Sequence, residues 1–432
     1  MVSAGTERPD RHRLISLILL VTAAACFVVI VAVRQGPPSG GDTVPLTAVS
    51  SAVAAGDLRA AASVSSLPNP PGYALWTSPL LAAFPSWVGG ATWCTTPKRA
   101  EALHRDQANP SDPTLARDVN ECGSAGTTLP PWYRSQGVLG LGSWLVLALG
   151  GLALLRAGEA DSVGRQAGLL AFLAFLPAAS SAIVQLYHPQ DIVSLGLALG
   201  GLALTLRRRW VPAGMLFGAA VLTKQFAVLL LLPAMVAAGD RRARTTLGVW
   251  AAVVFGAGIL PFLAVDPRAT LENLSGFSAG GATAGQTVLT LLGVTGTVAS
   301  AVARDAPVLF AAGICVWAAR RAGNRPDPPT QLVALALVCA GSRLVFESVV
   351  FPYYLLAASV LFFLLDLVAR RSPHRSLVWC AAAAFFVAFR PGNRAVDAIG
   401  TLLLAAAAVV GGLLDMTHAE PSPLADRGVA AA

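Results

Sequence analysis

From Gln136 onward the chain alternates long apolar runs with short basic turns, at 156–165, 207–209, 241–244, 320–325 and 370–375. Apolar runs of this length lie in lipid, where every backbone N–H and C=O must be satisfied within the segment, so the runs are expected to be helices. Clusters of arginine between such runs mark cytoplasmic ends, and all five fit one side of a membrane. The N-terminus fits the same side. Arg8, Arg11 and Arg13 precede an apolar run over 14–33 that is too long for the core of a signal peptide and lacks a small-residue cleavage site where one is expected. It is expected to stay as the first span.

The further expected spans are 136–156, 166–185, 191–206, 245–265, 306–320, 329–341, 353–369, 376–390 and 396–414. Residues 210–239 leave and return to the same side, as a hairpin of two short helices with Lys224 near its tip. Residues 286–303 break the alternation and are expected to be external and partly embedded. The fold class is therefore an all-α polytopic membrane protein of about twelve transmembrane helices with short re-entrant or interfacial helices, both termini inside. The 55% hydrophobic and 12% charged content excludes a soluble multidomain chain and a disordered one. A net charge of +8 would suggest nucleic acid in a soluble protein, but here the arginines are spent on topology, and no nucleic-acid partner is expected.

One integral-membrane domain, 1–432, accounts for the whole chain, with a long external loop over 34–135. Within it, 75–93 carries Pro79 and Pro85 and reads as an interfacial or re-entrant helix pair. A polar insertion over 94–122 follows, flanked by Cys94 and Cys122. These two are the cysteines in a polar loop, whereas Cys26, Cys315, Cys339 and Cys380 lie in apolar runs as small core residues.

Polar residues punctuate the apolar stretch 186–225: His188, Gln190, Asp191 and Lys224. Charge within a membrane segment is costly and points to function, with placement at the water interface as the alternative. Among 31 basic residues only Lys98 and Lys224 are lysines, which suggests that a compact ammonium is wanted at 224. The expected topology places Asp42, His188, Asp191, Lys224, Asp266, Arg268, Arg343, Glu347, Tyr353 and Tyr354 on the external side. Each also has a structural reading. Asp191 could cap the next helix. Arg343 and Glu347 are spaced to pair along one helical face. Tyr353 and Tyr354 suit the membrane interface, and Asp266 and Arg268 suit a turn. Asp366 is expected to pair with Arg370 four residues on.

The chain has no phosphate-binding glycine loop, dinucleotide fingerprint, zinc-protease motif, nucleophile elbow or Asp-x-Asp pair. An external enzyme without nucleotide needs an activated donor already in the membrane, and a polyprenyl-phosphate sugar meets that need. A transporter or lipid flippase would share the span count, but would often show related halves, and no internal repeat is evident. A membrane assembly factor that has lost its chemistry is a third reading.

Five motifs stand in order along the chain: Gly41-Asp42-Thr43 after the first span, AVSSAVAAGDLRA leading to SLPNPPGYALWTSPL, then YHPQD, AGMLFGAAVLTKQ and SRLVFESVVFPYYLL. Together they resemble the GT-C superfamily of integral-membrane glycosyltransferases, most closely its bacterial polyprenyl-phosphate-mannose-dependent mannosyltransferases. The insertion over 94–122 departs from that family's compact loop. The resemblance implies an inverting transfer at the outer face of the plasma membrane, from a polyprenyl-phosphate-linked sugar donor to a lipid, glycan or protein acceptor. Asp42 would be the base that accepts the acceptor's proton. Asp57 is the rival, although it also reads as a helix terminus paired with Arg59. Lys224 and Arg343, with His188, would hold the donor phosphate. Gln190, Asp191, Glu347, Tyr353 and Tyr354 would contact substrate. No cofactor is implied with certainty; His188 and Asp191 are two ligands that a divalent cation could use, and they do not define a site alone.

The oxidising environment expected for the external loop leads to a first prediction: Cys94 and Cys122 are joined by a disulfide closing the polar insertion. Peptide mapping without reductant should recover the two cysteine peptides linked. Two free thiols in protein never exposed to reductant would refute it.

Overall fold

A computed structural model describes residues 8–34, 43–63, 70–84, 133–184, 187–275, 287–294, 296–320, 328–347, 350, 352–388 and 394–417. Asp42, Cys94 and Cys122 lie outside these residues. Among the described residues all regular structure is helical. Seven helices are long and apolar enough to cross a membrane, and a bent pair makes an eighth. Four shorter apolar helices, Trp210–Thr223, Gln225–Ala237, Pro352–Val368 and His374–Ala388, complete the set. The chain is thus an all-α polytopic membrane protein, with seven or eight helices among the described residues long and apolar enough to cross a membrane where about twelve spans are expected from the sequence.

The first helix, α1 (Arg8–Arg34), is followed by α2 (Thr43–Ala54), α3 (Leu58–Ser63) and α4 (Gly72–Ala83). After a π-helical entry at Tyr133–Leu139 come α5 (Gly140–Ala157), α6 (Val163–Phe175) and α7 (Pro177–Val184). The expected span over 166–185 is broken by 40° between α6 and α7. Leu176 is extended before Pro177, as the proline ring demands, and Pro177 then starts a new helix with its fixed φ. Helix α1 runs alongside this pair in the same direction, through Ser16 Oγ donating to Gln166 Oε1 at 2.6 Å and Arg34 donating to Ser180 Oγ at 2.7 Å. Helix α5 runs against it, with Trp144 Nε1 donating to the Leu173 carbonyl at 3.1 Å.

Next are α8 (Pro189–Leu206), α9 (Trp210–Thr223), α10 (Val228–Ala237) and α11 (Arg241–Val265). Helix packing in lipid gains little from the hydrophobic effect and depends on close contact through small residues. Gly196 of α8 lies so close to α5 that a Cβ there would sit 2.6 Å from the Leu147 backbone nitrogen. On α9, Gly214 faces Leu247 and Gly218 faces Ala251, while Leu222 meets Gly258. Residue numbers rise together in those contacts, so α9 and α11 are parallel and the chain must return between them through α10. The expected hairpin over 210–239 is therefore present, with Lys224 at its turn.

The chain continues through α12 (Pro267–Ser275), α13 (Val288–Leu291), α14 (Gly296–Arg320), α15 (Pro328–Phe346), a 3-10 turn at Pro352–Tyr354, α16 (Leu355–Val368), α17 (His374–Ala388) and α18 (Arg394–Thr417). Helix α14 corrects the expectation of a separate piece before residue 306. It is one helix with Pro307 inside, since proline removes a single ladder bond that membrane helices tolerate. Buried Cys315 and Cys339 sit 3.9 Å apart where α14 meets α15.

The described arginines of the basic turns, Arg156, 207–209, 241–244, Arg320 and 370–375, lie at the helix ends remote from Lys224. There Arg375 donates to Asp366 at 2.6 Å and to Asp415 at 2.9 Å, Arg371 also pairs with Asp415, and the Ser376 N–H donates to Asp366. Asp366 does not pair with Arg370 as expected. Arg370 ends α16 in the left-handed conformation, φ 58°, and the turn brings Arg375 to the carboxylate instead.

At the opposite end α2, α3 and α4 form a roof. Gly72 touches the Leu222 carbonyl, Trp76 Nε1 donates to Thr223 Oγ1 at 2.9 Å, Ala61 and Ala62 pack on Phe262, and Asn273 Nδ2 donates to the Ala62 carbonyl at 2.9 Å. Asp266 caps α12 through the Ala269 N–H at 3.0 Å, which agrees with its reading as a turn residue.

The close approach of α5 and α8 can be tested by filling it. Gly196→Ala should cost about 1–3 kcal/mol, the usual range for overpacking. Gly164→Ala, whose added carbon meets nothing within 4 Å, should be neutral or slightly stabilising. Thermal unfolding of the detergent-solubilised protein compares the two.

Candidate functional site

Four breaks in helical structure deliver the polar residues of the Lys224 end. The first is the entry to α8. Tyr187 takes a left-handed φ of 53°, turning the chain so that His188 precedes Pro189 at the helix start. Asp191 falls in the first turn of α8, where the helix dipole favours a carboxylate. It is not the cap: His188 occupies that position, and Asp191 points instead to side chains of other segments. The second break is the extended Lys224 between α9 and the 3-10 turn Gln225–Ala227. The others are the end of α15, with Arg343 and Glu347, and the 3-10 turn that carries Tyr353 and Tyr354.

These segments converge. Asp191 Oδ2 lies 3.5 Å from Lys224 Nζ and 3.5 Å from His188 Nδ1, and Asp191 Oδ1 lies 4.0 Å from an Arg343 guanidinium nitrogen. Arg343 Nε donates to Glu347 Oε2 at 2.8 Å, the pairing along one face that the spacing predicts. Gln190 Nε2 is 3.0 Å from His188 Nδ1. The His188 ring stacks on Tyr353 at 4.0 Å between centroids, and Tyr353 meets Tyr354 edge to face. The Arg343 guanidinium lies over the Tyr354 ring at 4.1 Å and near that of Phe226 at 5.2 Å. Both tyrosines are buried, so they build the floor of the site and are not exposed interface aromatics.

All eight candidates from these segments thus come together: His188, Gln190, Asp191, Lys224, Arg343, Glu347, Tyr353 and Tyr354. Asp57 does not join them. It is exposed and its Oδ1 accepts from the Ala60 N–H at 2.9 Å, capping α3. Asp42 lies outside the described residues, one position before α2 begins. Sequence reasoning missed Phe226, which backs Arg343. The available signal was its place two residues after Lys224.

A cavity of about 600 Å³ opens beside this cluster. Lys224, Arg343 and Glu347 line one part of it, and Val228, Leu229, Val308 and Leu309 give it an apolar wall. Arg304 and Asp305, paired with each other at 2.7 Å, lie along the same cavity. Asp191 and His188 stand behind the cations and not on the cavity wall. Two cations facing a cavity with an apolar side suit an anionic group that carries a hydrocarbon chain. Among the described residues no group of three His, Cys, Asp or Glu side chains could hold a metal. His188 and Asp191 do come together, but their neighbours are Lys224 and Arg343, a poor setting for a divalent cation.

The family model for glycosyltransferase family 87 matches residues 127–346, just over half of the chain. The chain belongs to glycosyltransferase family 87. It is a membrane glycosyltransferase of the GT-C type. No curated protein and no solved structure matches it. The matched stretch includes His188, Gln190, Asp191, Lys224 and Arg343, and ends one residue before Glu347.

In this glycosyltransferase Asp191 is the shared counter-charge of the cluster. Asp191→Leu should therefore be strongly destabilising, by about 3–5 kcal/mol, because it leaves buried cations uncompensated. Asp57→Ala should lose no more than a helix cap. Thermal stability in detergent, with both variants measured alongside wild type, checks the contrast.

Proposed function

We propose that this family 87 enzyme takes a sugar, mannose by its resemblance, from a polyprenyl-phosphate carrier and transfers it with inversion to a lipid, glycan or protein acceptor at the extracytoplasmic face of the plasma membrane. The observation that carries the reading is the cavity. It offers Lys224 and Arg343 to a phosphate and an apolar wall to the chain attached to it. Leu309 on that wall is 72% exposed, which suits a ligand arriving from the lipid side. A nucleotide sugar has no hydrocarbon tail to bury there. The sidedness is supported by the described turn arginines, which lie at the helix ends away from the site and suit the cytoplasm.

In the proposed reaction the acceptor hydroxyl oxygen attacks the anomeric carbon while the Asp42 carboxylate takes its proton. The bond from that carbon to the phosphate oxygen breaks, and polyprenyl phosphate leaves with the electron pair. A single displacement inverts the anomeric centre. Lys224 and Arg343 offset the charge that grows on the leaving phosphate, with greater effect in a partly dry site than in water. His188, held by Gln190 and stacked on Tyr353, supplies a further polar group beside them. Asp42 is preferred to Asp57 as base because Asp57 is occupied as an exposed cap.

The test incubates purified protein with labelled polyprenyl-phosphate mannose and a membrane-lipid extract, and a new labelled glycolipid is the expected product. Asp42→Asn should keep donor binding while turnover falls by about two to four orders of magnitude, the span for loss of a general base. Lys224→Ala should weaken donor binding as well as turnover. Normal turnover in Asp42→Asn would remove the proposed base, and unaltered donor binding in Lys224→Ala would remove the phosphate site.

A further inference from the structure

The cations that would receive a phosphate already have carboxylate partners. Among the described residues, Lys224 has Asp191 at 3.5 Å, Arg343 has Glu347 at 2.8 Å, and Arg304, which lines the same cavity, has Asp305 at 2.7 Å. His188 Nδ1 lies between the Gln190 amide at 3.0 Å and Asp191 Oδ2 at 3.5 Å. A phosphodiester brings one negative charge. Entering a largely buried site whose described Lys and Arg side chains are each matched by a carboxylate, it competes with those carboxylates for the cations, at a cost that low-dielectric surroundings make severe. Something in the cluster must change its charge or give up its partner.

The two carboxylates are not placed alike. Asp191 stands behind Lys224 and Arg343, shielded from the cavity by the cations it holds. Glu347 lines the cavity beside those same cations, and its bond to Arg343 Nε occupies a face of the guanidinium that a phosphate in the cavity would want. An incoming phosphate therefore meets Glu347 directly, as a like charge and as a competitor for Arg343.

We propose that the donor phosphate enters this cavity together with one proton, which Glu347 takes up from solvent as the phosphate replaces its carboxylate on Arg343. The proposal rests on the donor-phosphate reading above. The groups that act on Glu347 are Arg343 on its own helix, Asp191 from the start of α8, Lys224 from the hairpin turn and Tyr354 from the 3-10 turn; Arg304 and Asp305 on α14 line the same cavity, and His188 and Tyr353 lie behind, against Asp191 and Tyr354. Glu347 stands one residue past the end of α15, and burial pushes its carboxyl up, against the pull of Arg343 and Lys224 and with the push of Asp191. A bound phosphate adds to that push. A neutral Glu347 remains able to donate a hydrogen bond to the phosphate it has admitted.

The sign of the pH dependence follows. A carboxyl whose pKa rises further on binding draws a proton with the ligand, so affinity is full at low pH and falls as pH rises past the value in the free protein. Binding of dodecyl methyl phosphate, a lipid phosphodiester with one fixed negative charge, to the full-length protein in detergent reads this out. Wild type should show a Kd that grows by up to about tenfold per pH unit, the limit for one linked proton. Calorimetry in buffers of different ionisation enthalpy should record the uptake of that proton without any variant. In Glu347→Gln, which keeps an acceptor for Arg343 but cannot ionise, the slope should vanish and binding at high pH should be tighter than wild type. A wild-type Kd independent of pH, or a slope that survives in Glu347→Gln, overturns the proposal while leaving the phosphate site intact. A slope lost only in His188→Gln also overturns it, by assigning the proton to the imidazole. Failure of the probe to bind, or binding indifferent to Lys224→Ala, overturns the phosphate reading and the proposal with it.

Discussion

Asp191 is the charge on which the Lys224 end of this bundle depends. Two segments distant in sequence bring a cation to it, the hairpin turn with Lys224 and the end of α15 with Arg343, and its own α8 entry adds His188. In a chain whose solvent is lipid, an unpaired ammonium or guanidinium at that depth would be far too costly to keep. One carboxylate in the first turn of a helix therefore fixes where two other segments can end. The extended break at Lys224 and the stop of α15 are consequences of that requirement as much as of local propensity.

Close helix packing makes the convergence possible. Asp191 and Lys224 can meet because Ser194 Oγ donates to the Ala220 carbonyl at 2.9 Å, tying α8 to α9 just below them. Helix α9 is in turn pressed onto α11 through Gly214 and Gly218, and α8 onto α5 through Gly196 and Gly150. Larger residues at these crossings would move α8 and α9 apart by a fraction of a helix diameter. That is enough to break ion pairs that are already 3.5 Å long. The small residues thus set site geometry through backbone approach, without touching the site.

Most of the site was legible in the sequence because lipid makes polar residues conspicuous. His188, Asp191 and Lys224 stand out of an apolar stretch, and Arg343 and Glu347 carry the spacing of a helical pair, so burial in a common cluster follows from the cost of leaving any of them alone. Their mutual arrangement was not legible. Nothing in the spacing tells that Asp191 faces the hairpin and leaves the cap position to His188, since that depends on the left-handed turn at Tyr187. Hydropathy also misjudged continuity. It split α14 at Pro307, where the helix carries on, and passed over Pro177, where it bends. A proline's effect depends on whether neighbours can satisfy the freed carbonyl, and that is tertiary information. Asp366 shows the same limit, because the turn after α16 chooses Arg375 over the nearer Arg370.

The two charged clusters, one at each end of the bundle, both pair carboxylates with cations and yet differ in how tightly they are paired. At the arginine-rich end Asp366 and Asp415 accept bonds of 2.6, 2.9 and 3.2 Å, and Asp366 also receives a backbone N–H. Their arginine partners reach water. Such a cluster is saturated: its carboxylates have nothing left to offer, and its role is to tie α16, α17 and α18 together. At the other end the contacts to Asp191 are 3.5, 3.5 and 4.0 Å, and its Oδ2 has no hydrogen-bond partner among the described residues. Lys224, held at 3.5 Å, is partnered enough to be stable and loosely enough to be re-partnered. It lines, with Arg343, a cavity large enough for a ligand group. Long ion pairs would be a defect in a structural lock, but here they leave Lys224 able to move onto an anion without first breaking a short bond, whereas Arg343 has to release Glu347 at 2.8 Å.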